Sequence, residues 1–600
     1  MRIPRPLLAS LLLSTSFLGH AQGFGTLDAN DVRMVVHANG FIGSNPGLPV
    51  GVEIPAFSGL LTMGAGGLWV TGITPNSQAR VAAHLYPGAQ DFTPGPLTTD
   101  GTASITAQTI AQYDRVWSVS ATQIELHQAY FACLQDPECD VNDEFPDGYT
   151  IPPSFLSWPA MGDVSAGQAT YLAPFVDIGA DGSYDPEIGD HPCIIGDKAI
   201  YAIFNDTGEE HMASASEAIG LEVHLMAFAY DDNPALDQTV FVQHKIIQRG
   251  SLPLNDLRIG HYADLDIGCS NDDIIGTDVL RSLVYVLNGD DTDEDCLGNN
   301  GYGSVPPVFG LVVLKGPLLE PDGVDNAMTT EELYVNGTGY ADEMIDNERF
   351  GLSGSITYYR EGSPAMTDPN SIGHFLGYNQ QKWKTNVLQT YGGIGYDPSP
   401  GATPALFCFP GTSDPEGLGT GGIPQPDWNG SLSALGSTRD PRVLASMGPG
   451  TLEPGEHINL LLAYTYVRSG ASDPLANVTA LQARVDSITT FARNIPGMFN
   501  EMNNGAMPCA APSAPNAIGE IQRATLTLFP VPADGELYLR AIGLRSADII
   551  SIHDMQGRLV MTSQAQGPTT RIEISALPPG AYAVRANTDG AILNGRFIKE

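Results

Sequence analysis

Gly220-Leu221-Glu222-Val223-His224-Leu225-Met226-Ala227-Phe228-Ala229 and, nine residues later, Thr239-Val240-Phe241-Val242-Gln243-His244-Lys245-Ile246-Ile247 decide the fold class. Both are alternating runs, and a period of two sends successive side chains to opposite faces of a pleated strand. Ser282 to Leu287 repeats the pattern. Helical spacing is convincing from Pro474 to Asn494, where Leu475, Val478, Leu481, Val485 and Ile488 recur every three to four residues. The chain is therefore expected to be mainly β, a multi-domain β-sandwich architecture with one amphipathic helix near 474–494. With 67 glycines and 45 prolines in 600 residues it is turn-rich without being disordered. A body of this length buries a large core and is expected to make two or more subdomains within 22–507.

Charge separates the ends from this body. The formal net charge is −40, yet residues 518–600 hold eight acidic and eight basic side chains and the first 21 residues only Arg2 and Arg5. An excess of 42 acidic residues thus lies in 22–517, a partition that implies separate folding units. Pro508-Cys509-Ala510-Ala511-Pro512-Ser513-Ala514-Pro515 reads as a linker, placed at 508–517. Beyond it stand seven short runs: Thr525 to Phe529, Glu536 to Ala541, Ile549 to His553, Leu559 to Thr562, Arg571 to Ser575, Tyr582 to Ala586 and Gly595 to Lys599. Turn residues such as Pro532-Ala533-Asp534-Gly535 and Pro578-Pro579-Gly580 separate them, the pattern of an immunoglobulin-like sandwich.

The order of motifs in 518–600 is specific. Phe529-Pro530-Val531-Pro532-Ala533, Ile552-His553-Asp554-Met555-Gln556-Gly557-Arg558-Leu559-Val560, Leu577-Pro578-Pro579-Gly580-Ala581-Tyr582 and Arg596-Phe597-Ile598-Lys599 follow one another. This module resembles the type A C-terminal sorting domain of the Bacteroidetes type IX secretion system, with Val531 where that family has Asn. The resemblance implies a seven-stranded sorting signal, the type IX machinery as partner, and a secreted or outer-surface destination reached through the periplasm. At the other end Arg2 and Arg5 precede the apolar run Leu7 to Leu13, and Gly19-His20-Ala21 suits signal peptidase, so 1–21 reads as a signal peptide cleaved after Ala21. No apolar window reaches 18 residues, so no transmembrane segment is expected in the mature chain. Leu27-Asp28-Ala29-Asn30-Asp31-Val32-Arg33, Gly67-Leu68-Trp69-Val70-Thr71-Gly72-Ile73, Gly189-Asp190-His191-Pro192 and Asp264-Leu265-Asp266-Ile267-Gly268 are similar to segments of large secreted Bacteroidetes proteins of no assigned activity.

Seven cysteines suit an oxidising compartment; Cys133 with Cys139 and Cys269 with Cys296 bracket short loops and are the favoured disulfides. Three acidic stretches have cation chemistry within reach. Asp177, Asp181 and Asp185 stand four apart around Gly182; Asp264, Asp266 and Asp273 lie in a second stretch; Asp290 to Asp295 forms a third. Clustered carboxylates repel unless solvated or bridged, and hard cations take oxygen ligands from such loops. Both readings stay open, solvated loops or calcium as cofactor with Asp177, Asp181, Asp185, Asp264, Asp266 and Asp273 as ligands. Catalytic motifs are missing from the sequence: there is no HExxH, GxSxG or P-loop, and Gly417 to Gly422 follows Pro415-Glu416 instead of a strand. A strongly acidic surface repels nucleic acid. The residues point to a structural, adhesive or binding component with a surface glycan or protein partner. The alternative is a secreted carbohydrate or peptide hydrolase, which needs only two carboxylates.

Overall fold

The computed structural model describes residues 23–44, 51–86, 89–231, 233, 235–296, 298–327, 336–360, 363–430, 440–470, 474–493, 526–529, 531–540, 546, 549–554, 558–567, 569–588 and 591–599. The expected signal peptide and the linker lie outside them. Among the described residues the protein is mostly β, and its body is built on two large antiparallel sheets.

The strand Leu221–Ala229 shows why they stack. Leu221, Val223, Leu225, Ala227 and Ala229 enter one apolar cluster, and Met226 and Phe228 enter another on the opposite face. Both faces are thus buried, which fits a run with few polar residues on either side. This strand lies in a nine-stranded sheet ordered Ile274–Asp278, Leu283–Leu287, Val308–Lys315, His457–Val467, Thr239–Gln248, Leu221–Ala229, Lys198–Asn205 and Thr93–Pro94, with Trp117–Ser120 also on Lys198–Asn205. The first cluster faces a ten-stranded sheet whose main path runs Phe24–Leu27, Arg33–His37, Ile42–Gly43, Leu61–Ile73, Leu254–Leu265, Pro441–Leu452 and Gly354–Tyr359. Met34, Leu68, Val70, Ile259, Ala263 and Val443 from that sheet share the cluster with Val223, Val242 and Leu462 from the other.

Each outer face is covered by a helix. Pro474–Arg493 lays Val478, Leu481, Val485, Ile488 and Ala492 against Phe228, Phe241, Val312 and Leu461, as its spacing requires. The side chain of Leu475, and Asn494, lie outside the described residues. On the other flank Ile372–Asn379 packs Phe375 against Trp69, with ring centroids 4.7 Å apart, and Tyr378 against Tyr358 at 4.9 Å. Fully burying such side chains stabilises the fold by roughly 1.5–3 kcal/mol each. The helix Ala121–Gln135, opened by a capping box between Ser120 and Gln123, adds to the largely helical segment 107–166. No described helix is long and apolar enough to cross a membrane.

The disulfides Cys133–Cys139 and Cys269–Cys296 are both present, and Cys193 is disulfide-bonded too. Cys408 is free and buried between Thr277 and Ser355, and burial pushes its thiol up, away from nucleophilic use. The C-terminal module has seven described strands in two sheets: Thr527–Phe529, Glu536–Arg540 and Thr569–Glu573, then Leu559–Gln564, Ile549–Asp554, Gly580–Thr588 and Ala591–Lys599. Leu537, Leu539, Ile550, Ile552, Ile572, Val584 and Phe597 form a core common to both sheets.

Candidate functional site

At one end of the ten-stranded sheet the strands Leu61–Ile73, Leu254–Leu265 and Pro441–Leu452 bring carboxylates together. Tyr262 belongs to the outer face under the helix Ile372–Asn379, so Asp264, two residues on, projects the same way. Leu444 pairs with Tyr262, and Arg442, two residues before it, shares that face. Pairing slips between Asp264, opposite Ala65, and Leu265, opposite Met63. Gly64 is the unopposed residue of this bulge, and a Cβ there would lie 3.3 Å from Asp266 Oδ2 and 3.7 Å from Asp264 Oδ2.

Arg442 is the hub. Its Nη1 donates to both oxygens of Asp368 at 2.9 and 3.0 Å, Nε lies 3.2 Å from Asp264 Oδ1, and Nη2 lies 3.8 Å from Asp440 Oδ2. Asp440 precedes the strand with φ +58°, a left-handed backbone that Asp tolerates better than most residues. Asp264, Asp266 and Asp440 each offer an oxygen, all within 4.8 Å of one another, the one such group of three acidic, His or Cys side chains among the described residues. Asp264 and Asp266 are buried and Asp440 is half-buried. Burial raises the Asp264 carboxyl to about 7 against the opposing pull of Arg442. Burial, then the charges of Asp264 and Asp440, push Asp266 well above the ordinary carboxylate range.

Asp273 is close by. Its Oδ2 accepts from Ile267 N at 2.8 Å, and burial and the charge of Asp266 raise it. Of the second acidic stretch Asp264 and Asp266 come together, with Asp440, Asp368 and Arg442 joining them from distant segments, while Asp273 stays outside the group of three. The first behaves differently: Asp177 accepts from Gly182 N at 2.8 Å, Asp181 from Ser183 N and Asp185 from Glu187 N, each bracing its own loop. Those three form no mutual group. In the third stretch Asp293 accepts from Cys269 N and Tyr302 N, and burial raises it to about 6.

Other chemistry-bearing residues are packed. Glu222, fully buried, accepts from His224 at 2.9 Å, from the partly exposed Arg249 at 2.8 Å and from Leu97 N at 2.7 Å. His244 is buried, which holds its ring at about 3. All five tryptophans, Trp69, Trp117, Trp158, Trp383 and Trp428, are at most 5% exposed. The glycine-rich turn is a loop whose Leu418 and Gly419 amides donate to Asp414. A surface cavity of about 210 Å³, lined by Thr74, Thr102, Gln248 and Leu254 among others, has no acidic side chain in its wall.

The family described as secretion system C-terminal sorting domain matches residues 527–600. The C-terminal module is that domain, and the protein is a type IX secretion cargo, secreted or held at the cell surface. No curated protein matches the chain. A solved polysaccharide lyase is similar over 63% of this chain and 34% of its own length, at 9% identity and a TM-score of 0.17. The chain thus spans about a third of that protein, and a likeness this low carries nothing about fold or chemistry.

Proposed function

We propose that this exported chain is a structural, adhesive or binding component of the cell surface, its acidic loops steadied by calcium. The observation that carries the reading is where the aromatic and acidic residues go. A glycan hydrolase needs two carboxylates flanking the scissile bond in an accessible cleft, and sugar-binding clefts commonly add aromatic walls. Here the tryptophans are spent on packing, and the convergent carboxylates Asp264 and Asp266 are buried beside Arg442. The excess negative charge of the body favours partners that are neutral glycans or basic protein surfaces over nucleic acid.

Purified mature protein incubated with panels of polysaccharides and peptides tests the reading. Saturable binding without release of reducing ends or peptide fragments is expected. Turnover that disappears on replacing one carboxylate pair by amides replaces this reading with a secreted hydrolase.

A further inference from the structure

We propose that Asp264, Asp266 and Asp440 hold one divalent cation of calcium size, with Gly64 keeping the space open and Arg442 fixing Asp264 and Asp440 from the side. This deepens, and rests on, the reading that the acidic loops bind calcium. Calcium takes oxygen ligands at about 2.3–2.6 Å, so two oxygens on one ion stand at most about 5 Å apart. The three carboxylates meet that limit as they stand, being within 4.8 Å of one another. Magnesium, at about 2.1 Å, holds its ligands in a stricter octahedron and gives up its waters reluctantly.

A second observation points to a ligand. Asp266 is 8% exposed, and its Oδ1 has no hydrogen-bond partner among the described residues. A buried carboxylate oxygen is normally satisfied. Arg442 already serves Asp368, Asp264 and Asp440, and no ion pair joins it to Asp266. One guanidinium therefore pairs with three carboxylates and leaves the buried Asp266 without an ion pair. Gly64 lies beside Asp266 Oδ2, where any side chain would intrude. Asp440 is the half-exposed member, so solvent reaches the group from its side and supplies the water ligands that complete about six to eight oxygens.

The test uses the whole mature protein, stripped with chelator. Terbium stands in for calcium, excited through Tyr262 and Trp69, whose rings stack 5.9 Å apart beside the cluster. Sensitised emission should saturate at one equivalent and be displaced by calcium well before magnesium. Asp266→Asn, which keeps the shape, and Asp440→Asn, on the half-exposed side, should each weaken binding at least about tenfold. Far-UV circular dichroism checks that both variants fold. Unchanged affinity in both folded variants overturns the site. If calcium raises the melting temperature of wild type and both variants equally, and above matched sodium, this site falls while calcium in the other acidic loops stands. If calcium does no more than sodium in any of them, both readings fall.

Discussion

Glu222 sits on the interior strand Leu221–Ala229 with its carboxylate fully enclosed, and its surroundings set how the protein responds to acid. Burial alone would raise this acid, but the hydrogen bond from His224 and the charge of Arg249 outweigh it and hold the group at about 2. Burial also lowers His224, so near neutral pH Arg249 is the charged partner. Because the folded value is depressed, the stability Glu222 contributes is present above its ordinary 4.5 and disappears as pH falls toward about 2. Melting curves of wild type and Glu222→Gln should differ by a constant amount between pH 5 and 7 and converge on acidification, on the order of the window just given. Arg442→Met should cost about 3–5 kcal/mol by denaturant titration, since it strands Asp264 and Asp368. At this scale the sequence showed only part of the cluster. Asp264, Asp266 and Asp273 are close in the chain and readable as one acidic stretch; Asp440 and Arg442 arrive through strand pairing across about 180 residues, which leaves no local trace.

Among the elements, the helix Pro474–Arg493 was legible because its single apolar stripe meets a flat sheet face. Leu481→Ala should therefore cost about 2–5 kcal/mol, and the exposed Thr479→Ala within about 0.5 kcal/mol, in the same unfolding assay. The helix Ala121–Gln135 escaped that rule: its buried residues are only His127 and Cys133, so no stripe exists, and the capping box of Ser120 and Gln123 is visible only once the helix is known. The strand Leu61–Ile73 is hidden for another reason. Gly67 is there because a Cβ would come 2.6 Å from the His84 ring, and Gly72 because one would come 2.4 Å from Leu254. Close packing has replaced the side chains that alternation would be read from. The disulfides were readable from loop length, and length also ranks them. On chain entropy alone, losing Cys269–Cys296, with 27 residues of separation, should cost about 3.5 kcal/mol, against about 2 kcal/mol for Cys133–Cys139 with its separation of six. Paired Cys→Ser variants compared by thermal melting check that order.

For the whole molecule, destination resides in the last module. A chain ending at Ala517 should fold and stay in the periplasm, and residues 518–600 fused to a reporter should carry it out of the cell; fractionation of both strains checks this. The acidic body and the neutral module keep separate cores, so removing one leaves the hydrophobic cluster of the other whole. The two large sheets of the body are assembled differently, from strands that come from both its halves. His457–Val467, its last described strand, is inserted between Thr239–Gln248 and Val308–Lys315, and Pro441–Leu452 between Leu254–Leu265 and Gly354–Tyr359. Until those late strands emerge, four interior edges stand open, each a row of unpaired amides and carbonyls. Such non-local pairing is slow, and a growing chain holds it off until nearly 470 residues have appeared. The architecture thus acts as a timer: a nascent chain cannot complete either sheet before its late strands have been made.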